Sequence, residues 1–487
     1  MGPFPFAAAL RASCLRGRAL LAVGLSLAAL FRLGAAEPRA DIRRDLALRA
    51  IEDDLPLRAA LLDEWLVAEP AQVTSRAAEV RLLRSGKRVQ VRAQSNRMEK
   101  TFSVILAREW NGPPETLALV VRRTGQKWPG WTQGSWVFTR AVDDGRLTRV
   151  RFFPRTDPNM YLQFRPFPNA EEKSALDVVV YGAYLAQALP VGLPFKDLPE
   201  TALPDILALS ARGIPRRYFE PEAGDSRDKR ALIAAIQKRL PRLTYVDDGA
   251  LDELGRYVLI KDGTPQNGTG ARGGLNCSGF VKWVVDGILA PHTNEFLSIG
   301  PLKEPVRPRG SSFTEPYEAL REPFFGLDWT RRLAGEAGRR LLSPDADRLE
   351  AIEVRAWPFQ NIIIRDDETN IEQYPGFLMN AGFGIEGLQP LLYSLAIEEP
   401  DCIYLASIND NRSGPPERKK YRALTTRQHF HTAVLIPYFN EGGNFQIAVF
   451  ESAAETYFGD FKNRYPGGFI NLVRVPVDGA FAPPLPQ

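Results

Sequence analysis

The sequence is poor in cysteine. Only Cys14, Cys277 and Cys402 occur among 487 residues, too few for a chain of this size to be held together by disulfides. Histidine is equally scarce, with His292, His429 and His431 the whole supply. A charge excess of one sign is missing as well. The 62 basic residues are nearly matched by 58 acidic ones, for a formal charge of +4, which gives no sign of a nucleic-acid binder. Long apolar runs are confined to Ala19–Phe31, short for a membrane span. Internal repeats and low-complexity tracts are absent.

What is present begins with that run. Arg11, Arg16 and Arg18 precede it and the small residues Gly34-Ala35-Ala36 follow it, the pattern of a secretory signal over residues 1–36. Arg32, just beyond the run, leaves a retained anchor as the alternative. An exported protein of the periplasm or cell envelope is expected, without stable membrane insertion once the signal is removed. Cys14 does not end an apolar stretch and is not read as a lipid-attachment site. Cys277 and Cys402 then remain, either as one bridge or as two separate thiols, and their contexts favour separate roles.

A chain of this length exceeds what one core usually organises, so more than one domain is expected. Leu57–Leu66 reads as a short helix within a helical lead-in, 37–70. From 71 to 188 the pattern turns to alternation. Glu79–Leu83 and Arg88–Arg92 flank Ser85-Gly86-Lys87, and Ser135–Arg140 and Leu147–Phe153 flank Asp143-Asp144-Gly145, a strong hairpin signal. With Thr101–Leu106, Leu117–Val121 and Met160–Phe164 these describe a β-rich domain, sandwich or barrel. Prolines then recur from Pro190 to Pro221, predicting a partly extended linker over 189–227. A helical pattern at Lys229–Leu240 opens a second domain, 228–487.

The most informative stretch is Gly273-Gly274-Leu275-Asn276-Cys277-Ser278-Gly279-Phe280-Val281. Glycines give way to an apolar-periodic run ending near Gly287 and Pro291, which places Cys277 in the first turn of a helix. Unpaired N–H groups and the positive dipole end favour a thiolate there. Ser278 and Gly279 are small enough to admit a substrate carbonyl to the helix start. A buried structural cysteine is the plainer alternative.

Asn-Cys-Ser-Gly-Phe-Val resembles the Asp-Cys-Ser-Gly-Phe-Val signature of the NlpC-type cell-wall cysteine peptidases, a papain-like family. The order of later segments resembles it too: a helix at Leu388–Leu395, a strand opening at Glu399-Pro400-Asp401-Cys402-Ile403-Tyr404-Leu405, a strand at His431–Ile436, and a following strand at Phe445–Phe450 that leads to Glu451. The resemblance implies an α+β papain-like domain, with an antiparallel sheet against the nucleophile helix. It implies Cys277 as nucleophile, His431 as base and Glu451 as the group orienting the imidazole. It also implies a substrate cleft near Tyr257, Asn276, Ser278 and Gly279. No metal or organic cofactor is required, and the implied substrate is a peptidoglycan stem peptide. Asn276 departs from the usual Asp, and Glu451 is closer to the related CHAP-type amidases. The spacing of Cys277 and His431 demands an insertion at about 291–373.

His429 and His431 alternate, which would put both on one strand face, so either is a candidate base. A metal site from His429, His431 and Glu451 is a further alternative. His292 reads as a surface loop residue. Gly268-Thr269-Gly270-Ala271-Arg272-Gly273 matches a dinucleotide-binding pattern but leads into the cysteine helix and lacks the acidic residue that would follow, so it reads as a loop bordering the cleft. Trp128, Trp131 and Trp136, and the basic stretch Arg81–Lys100, offer a surface for wall glycan or anionic polymer, against the plainer reading of packed tryptophans and a solvated strand. A silent binding protein, or an acyltransferase with an apolar cleft from Phe324, Phe325 and Trp329, are the rival readings.

Overall fold

The structure is a computed structural model. It describes residues 78–82, 87–95, 100–107, 135–141, 147–154, 157, 159–210, 216–219, 221–266, 273–307, 323–360, 362–363, 371–372, 376–413 and 425–484. The expected signal, the helical lead-in, the strand 117–121, Trp128, Trp131 and most of the glycine loop lie outside them. The fold is α+β. Two compact units divide it, one within 33–220 and 358–374, the other within 221–357 and 375–487.

The first unit is an antiparallel meander. Its strands are β1 (Ala78–Leu82), β2 (Lys87–Ser95), β3 (Lys100–Ala107), β4 (Ser135–Ala141), β5 (Leu147–Phe153), β6 (Met160–Pro166), β7 (Ser174–Val180) and β8 (Ala183–Val191). Each pairs with the next. The expected hairpins recur here, and β7 and β8 extend the sheet across the Tyr181-Gly182 turn, where both residues have positive φ, as a tight primed turn requires. The ladder is open at both ends of its order, so the described strands do not close into the barrel that was one expectation.

The proline-rich stretch, expected as a partly extended linker, holds helix α1 (Leu203–Leu209) and 3-10 turns at Phe195–Glu200, Arg216–Tyr218 and Ala223–Ser226. Pro194 precedes one turn and a proline occupies the first turn of α1. A missing N–H costs nothing at a helix start, and the fixed φ of proline suits it.

The second unit begins with α2 (Arg227–Gln237), then β9 (Gly249–Leu251), β10 (Tyr257–Leu259), α3 (Cys277–Thr293), α4 (Ile299–Leu302), α5 (Phe325–Leu341) and α6 (Leu349–Ile352). The short strands β11 (Ile362–Ile363) and β12 (Ile371–Glu372) belong to the first unit, where β11 pairs with β8. The second unit resumes with β13 (Phe383–Gly384), α7 (Leu388–Glu398), β14 (Cys402–Ser413), β15 (Thr425–Phe439), β16 (Phe445–Glu451), β17 (Ala454–Thr456), α8 (Phe458–Asn463) and β18 (Phe469–Pro476). The expected insertion 291–373 is therefore not one body. Its helix α5 joins the core of the second unit, and its strands join the sheet of the first.

The second unit's sheet has the order β13-β18-β14-β15-β16-β17, antiparallel throughout. Alternation along its strands feeds two cores. Ile403, Leu405, Val434 and Ile436 face α3 and α5, while Tyr404, Ala406, Ala433 and Leu435 face α7. Period-2 strands buried on both faces are nearly continuous in apolar residues, and these are. Each such side chain contributes about 1.5–3 kcal/mol on burial, so the sheet is the rigid platform of the unit.

A candidate cysteine–histidine–glutamate site

Helix α3 starts where the sequence requires. Asn276 is its N-cap, with extended backbone, and its side-chain oxygen accepts a 2.7 Å hydrogen bond from the Gly279 N–H. An amide oxygen satisfies an orphan N–H as a carboxylate would, so the departure from Asp leaves the cap intact. The helix runs through Pro291 and ends at Thr293, past the expected stop, because Asn294 closes it in the left-handed conformation (φ 55°). Cys277 occupies the first turn and is partly exposed.

Packing decides the small residues around it. A Cβ on Gly279 would lie 2.0 Å from the Gly249 carbonyl oxygen, so the helix rests directly on β9. Ser278 is buried, and its carbonyl accepts from the Trp329 indole at 2.9 Å. Gly279 and Ser278 thus serve the seating of α3. Tyr257 on β10 is half-buried and lies against Gly273, where a Cβ would meet its ring at 2.4 Å. It braces the segment that leads into α3, and burial raises its pKa.

His431 comes from the middle of β15 and not from its start. The two histidines of this strand do not share a face. The register between β14 and β15 shifts at Ile408/Asn409, with His431 opposite Ile408 and His429 opposite Asn409. The extra residue, Phe430, inverts the alternation. His429 is buried, with Nδ1 2.8 Å from Ser407 Oγ and Nε2 3.0 Å from the Asn380 carbonyl oxygen. His431 instead turns to Glu451 and Cys277. Among the described residues no group of three His, Cys, Asp or Glu side chains is placed to hold a metal ion, and the bulge is the reason for this trio. His292 sits in the last turn of α3, 3.3 Å from Asp478, and not in a loop.

The Nε2 of His431 lies 2.7 Å from Glu451 Oε2, and the imidazole interacts with the Cys277 thiol. Burial by itself would raise the thiol pKa. The hydrogen bond and charge of His431, with the Thr432 N–H, outweigh it and bring the thiol to about 7. Burial likewise disfavours a charged imidazole, but its bonds to Cys277 and Glu451 raise His431 to about 9. Glu451 is 5% exposed. Burial opposes its charge, yet His431, Thr456 and Arg464 hold it at about 2. Between pH 7 and 9 the arrangement is a thiolate, an imidazolium and a carboxylate in a row, as a thiol nucleophile needs.

Sequence reasoning missed three neighbours. Thr456 Oγ1 donates to Glu451 Oε1 at 2.7 Å, the Arg464 guanidinium contacts the same oxygen, and the Tyr465 ring lies 6.2 Å from that of His431. No spacing announces them, since they arrive through the β16–β17 hairpin and α8. Cys402 is buried on β14 and neither cysteine is in a disulfide, so the alternative Cys277–Cys402 bridge is not formed. Trp329 is fully buried in the α3–α5 core, which removes it from the apolar cleft that the acyltransferase reading wanted. Among the described residues no helix is long and apolar enough to cross a membrane.

Comparison with known proteins adds one finding. The model of a family described as a domain of unknown function (DUF8515) matches residues 47–218, a stretch that ends before Cys277, His431 and Glu451. No curated protein and no solved structure matches the chain.

Proposed function

We propose that the protein is an exported cysteine hydrolase of the NlpC type, with a papain-like second unit, that cleaves amide bonds in peptidoglycan stem peptides. One observation carries the reading: a cysteine in the first turn of a helix, electrostatically coupled to a histidine whose Nε2 is 2.7 Å from a buried carboxylate.

In this reading the Cys277 thiolate attacks the amide carbonyl, and the oxyanion is met by backbone N–H groups at the helix start. The C–N bond breaks as His431 gives its proton to the leaving amine. His431 then takes a proton from water, whose oxygen attacks the thioester and releases the acid, and the thiol is restored. Glu451 keeps the imidazole in one tautomer and offsets its charge throughout. The cell envelope is the proposed location. The preserved cap at Asn276 and the intact three-residue chain favour an active enzyme over a silent binding protein.

The test is digestion of purified peptidoglycan by the mature protein and by Cys277→Ala, with products identified by mass spectrometry. New peptide termini made by the wild type and absent with the variant support the proposal. Equal products, or none from either, count against it.

A further inference from the structure

Glu451 is held from behind by groups that the three-residue chain does not include. Its Oε2 faces His431, while Oε1 accepts from Thr456 of β17 and contacts Arg464 just beyond α8. Thr456 reaches it because β17 folds back on β16, with Glu451 opposite Ala454 and Thr456 opposite Val449. The fold-back is made in an unfavourable way. Ser452 and Ala453, the two turn residues, both have positive φ (47° and 64°) without being glycine or asparagine, a conformation that side chains disfavour. Such strain persists where the surroundings over-determine it and clusters at functional sites.

Charge points the same way. With thiolate, imidazolium and carboxylate alone the buried chain carries a net negative charge, and Arg464 makes it neutral. The groups facing Glu451 from its surroundings are His431 of β15, Thr456 of β17, Arg464, and Tyr465 next to Arg464, with Cys277 of α3 acting through His431. None of these neighbours besides Arg464 and His431 brings a positive charge.

We infer that Thr456 and Arg464 are positioning residues of the site, which fix the rotamer of the Glu451 carboxylate and hold the carboxylate–imidazolium–thiolate chain neutral. The inference rests on the reading of Cys277 as a thiolate nucleophile, but not on the identity of the substrate. Without Arg464 the chain loses the positive charge that neutralises it, and without either residue the Glu451 carboxylate is free to turn its Oε2 away from His431. Both changes raise the pH at which Cys277 ionises. A lysine at 464 keeps the charge and a serine at 456 keeps the hydroxyl, so each should restore much of the effect.

The test is the pH dependence of Cys277 alkylation by iodoacetamide in the full-length mature protein, for wild type, Arg464→Gln, Arg464→Lys, Thr456→Val and Thr456→Ser. Thermal unfolding of each variant is measured alongside. The Arg464→Gln midpoint is expected to move up by about half a pH unit or more, with Thr456→Val moving the same way and the Lys and Ser variants lying near wild type. Folded Gln and Val variants whose midpoints coincide with wild type would overturn the inference. A shift that Arg464→Lys fails to recover would overturn the charge argument within it. An inert wild-type thiol across the whole range would sink the thiolate reading and this inference together, and it is recognisable because no variant is involved. Loss of folding in Arg464→Gln alone leaves Thr456→Val, which replaces one hydroxyl with a methyl group of similar size, to decide the matter.

Discussion

The indole N–H of Trp329 donates a 2.9 Å hydrogen bond to the carbonyl oxygen of Ser278, the residue that follows Cys277. Helix α5, which the sequence presents as part of an insertion, therefore pins the first turn of α3. Trp329 is fully buried, with the Phe325 ring 5.3 Å from its own. The position of the thiol depends on a segment far from it in the chain.

Trp329→Phe removes that donor and part of the ring while keeping an aromatic. A loss of roughly 1–3 kcal/mol of stability is expected, from one buried hydrogen bond and a small cavity. Urea unfolding of the two proteins measures it, and an unchanged midpoint would show that α5 does not bear on α3.

Gly279→Ala places a methyl group where the Gly249 carbonyl stands. Backbone cannot turn aside as a side chain can, so α3 must lift from β9. Overpacking of this kind costs about 1–3 kcal/mol, with the upper end expected here. Thermal unfolding is the readout, and iodoacetamide reactivity should fall with it as the cysteine turn is displaced.

Cys277 should alkylate with a midpoint near pH 7 in the wild type. His431→Ala removes the bond and charge that lower the thiol, and burial is then unopposed. The midpoint should rise to about 8.5 or above, and the rate at neutral pH should drop about tenfold or more. His429→Ala serves as the contrast. It disturbs packing beside Ser407 and is expected to leave the midpoint in place.

In the proposed mechanism, turnover needs the thiolate and the imidazolium together. Activity is therefore expected to rise as pH passes about 7 and to fall as it passes about 9, a bell whose limbs belong to the coupled pair. A profile still rising above pH 9 would mean that no proton on His431 is required.

The depressed pKa of Glu451 also carries stability. With a folded value of about 2 against an ordinary 4.5, its contribution is fully present above pH 4.5 and is lost as pH falls through 2. At most it amounts to about 3 kcal/mol. Glu451→Gln should thus differ most from wild type near neutral pH and converge with it in strong acid, as followed by unfolding at a series of pH values.

Much of this was legible along the chain. The segment order that resembles the NlpC type marked β14 through β16, while the glycine-to-apolar change marked the start of α3 and Asn440–Asn444 marked the hairpin between β15 and β16. The last two are local effects, in which propensity, capping and turn chemistry act within a few residues. Strand period did not separate His429 from His431, because both follow it, and only the family resemblance favoured His431. Only the bulge opposite Ile408/Asn409 separates them, and a bulge is a property of two paired strands. The proline-rich stretch misled for a related reason: proline favours a helix's first turn as readily as an extended linker.

The sequence by itself determined where a thiol could be activated: a capped helix start with Cys277 in its first turn, and strands bearing His431 and Glu451 further on. Only the tertiary structure decided that these three meet, that His429 does not join them, and that Thr456, Arg464 and the distant Trp329 support the site. Helix caps and strand periods are written in neighbouring residues, whereas register and the packing of α5 and the segment carrying Arg464 depend on contacts between residues far apart in the chain.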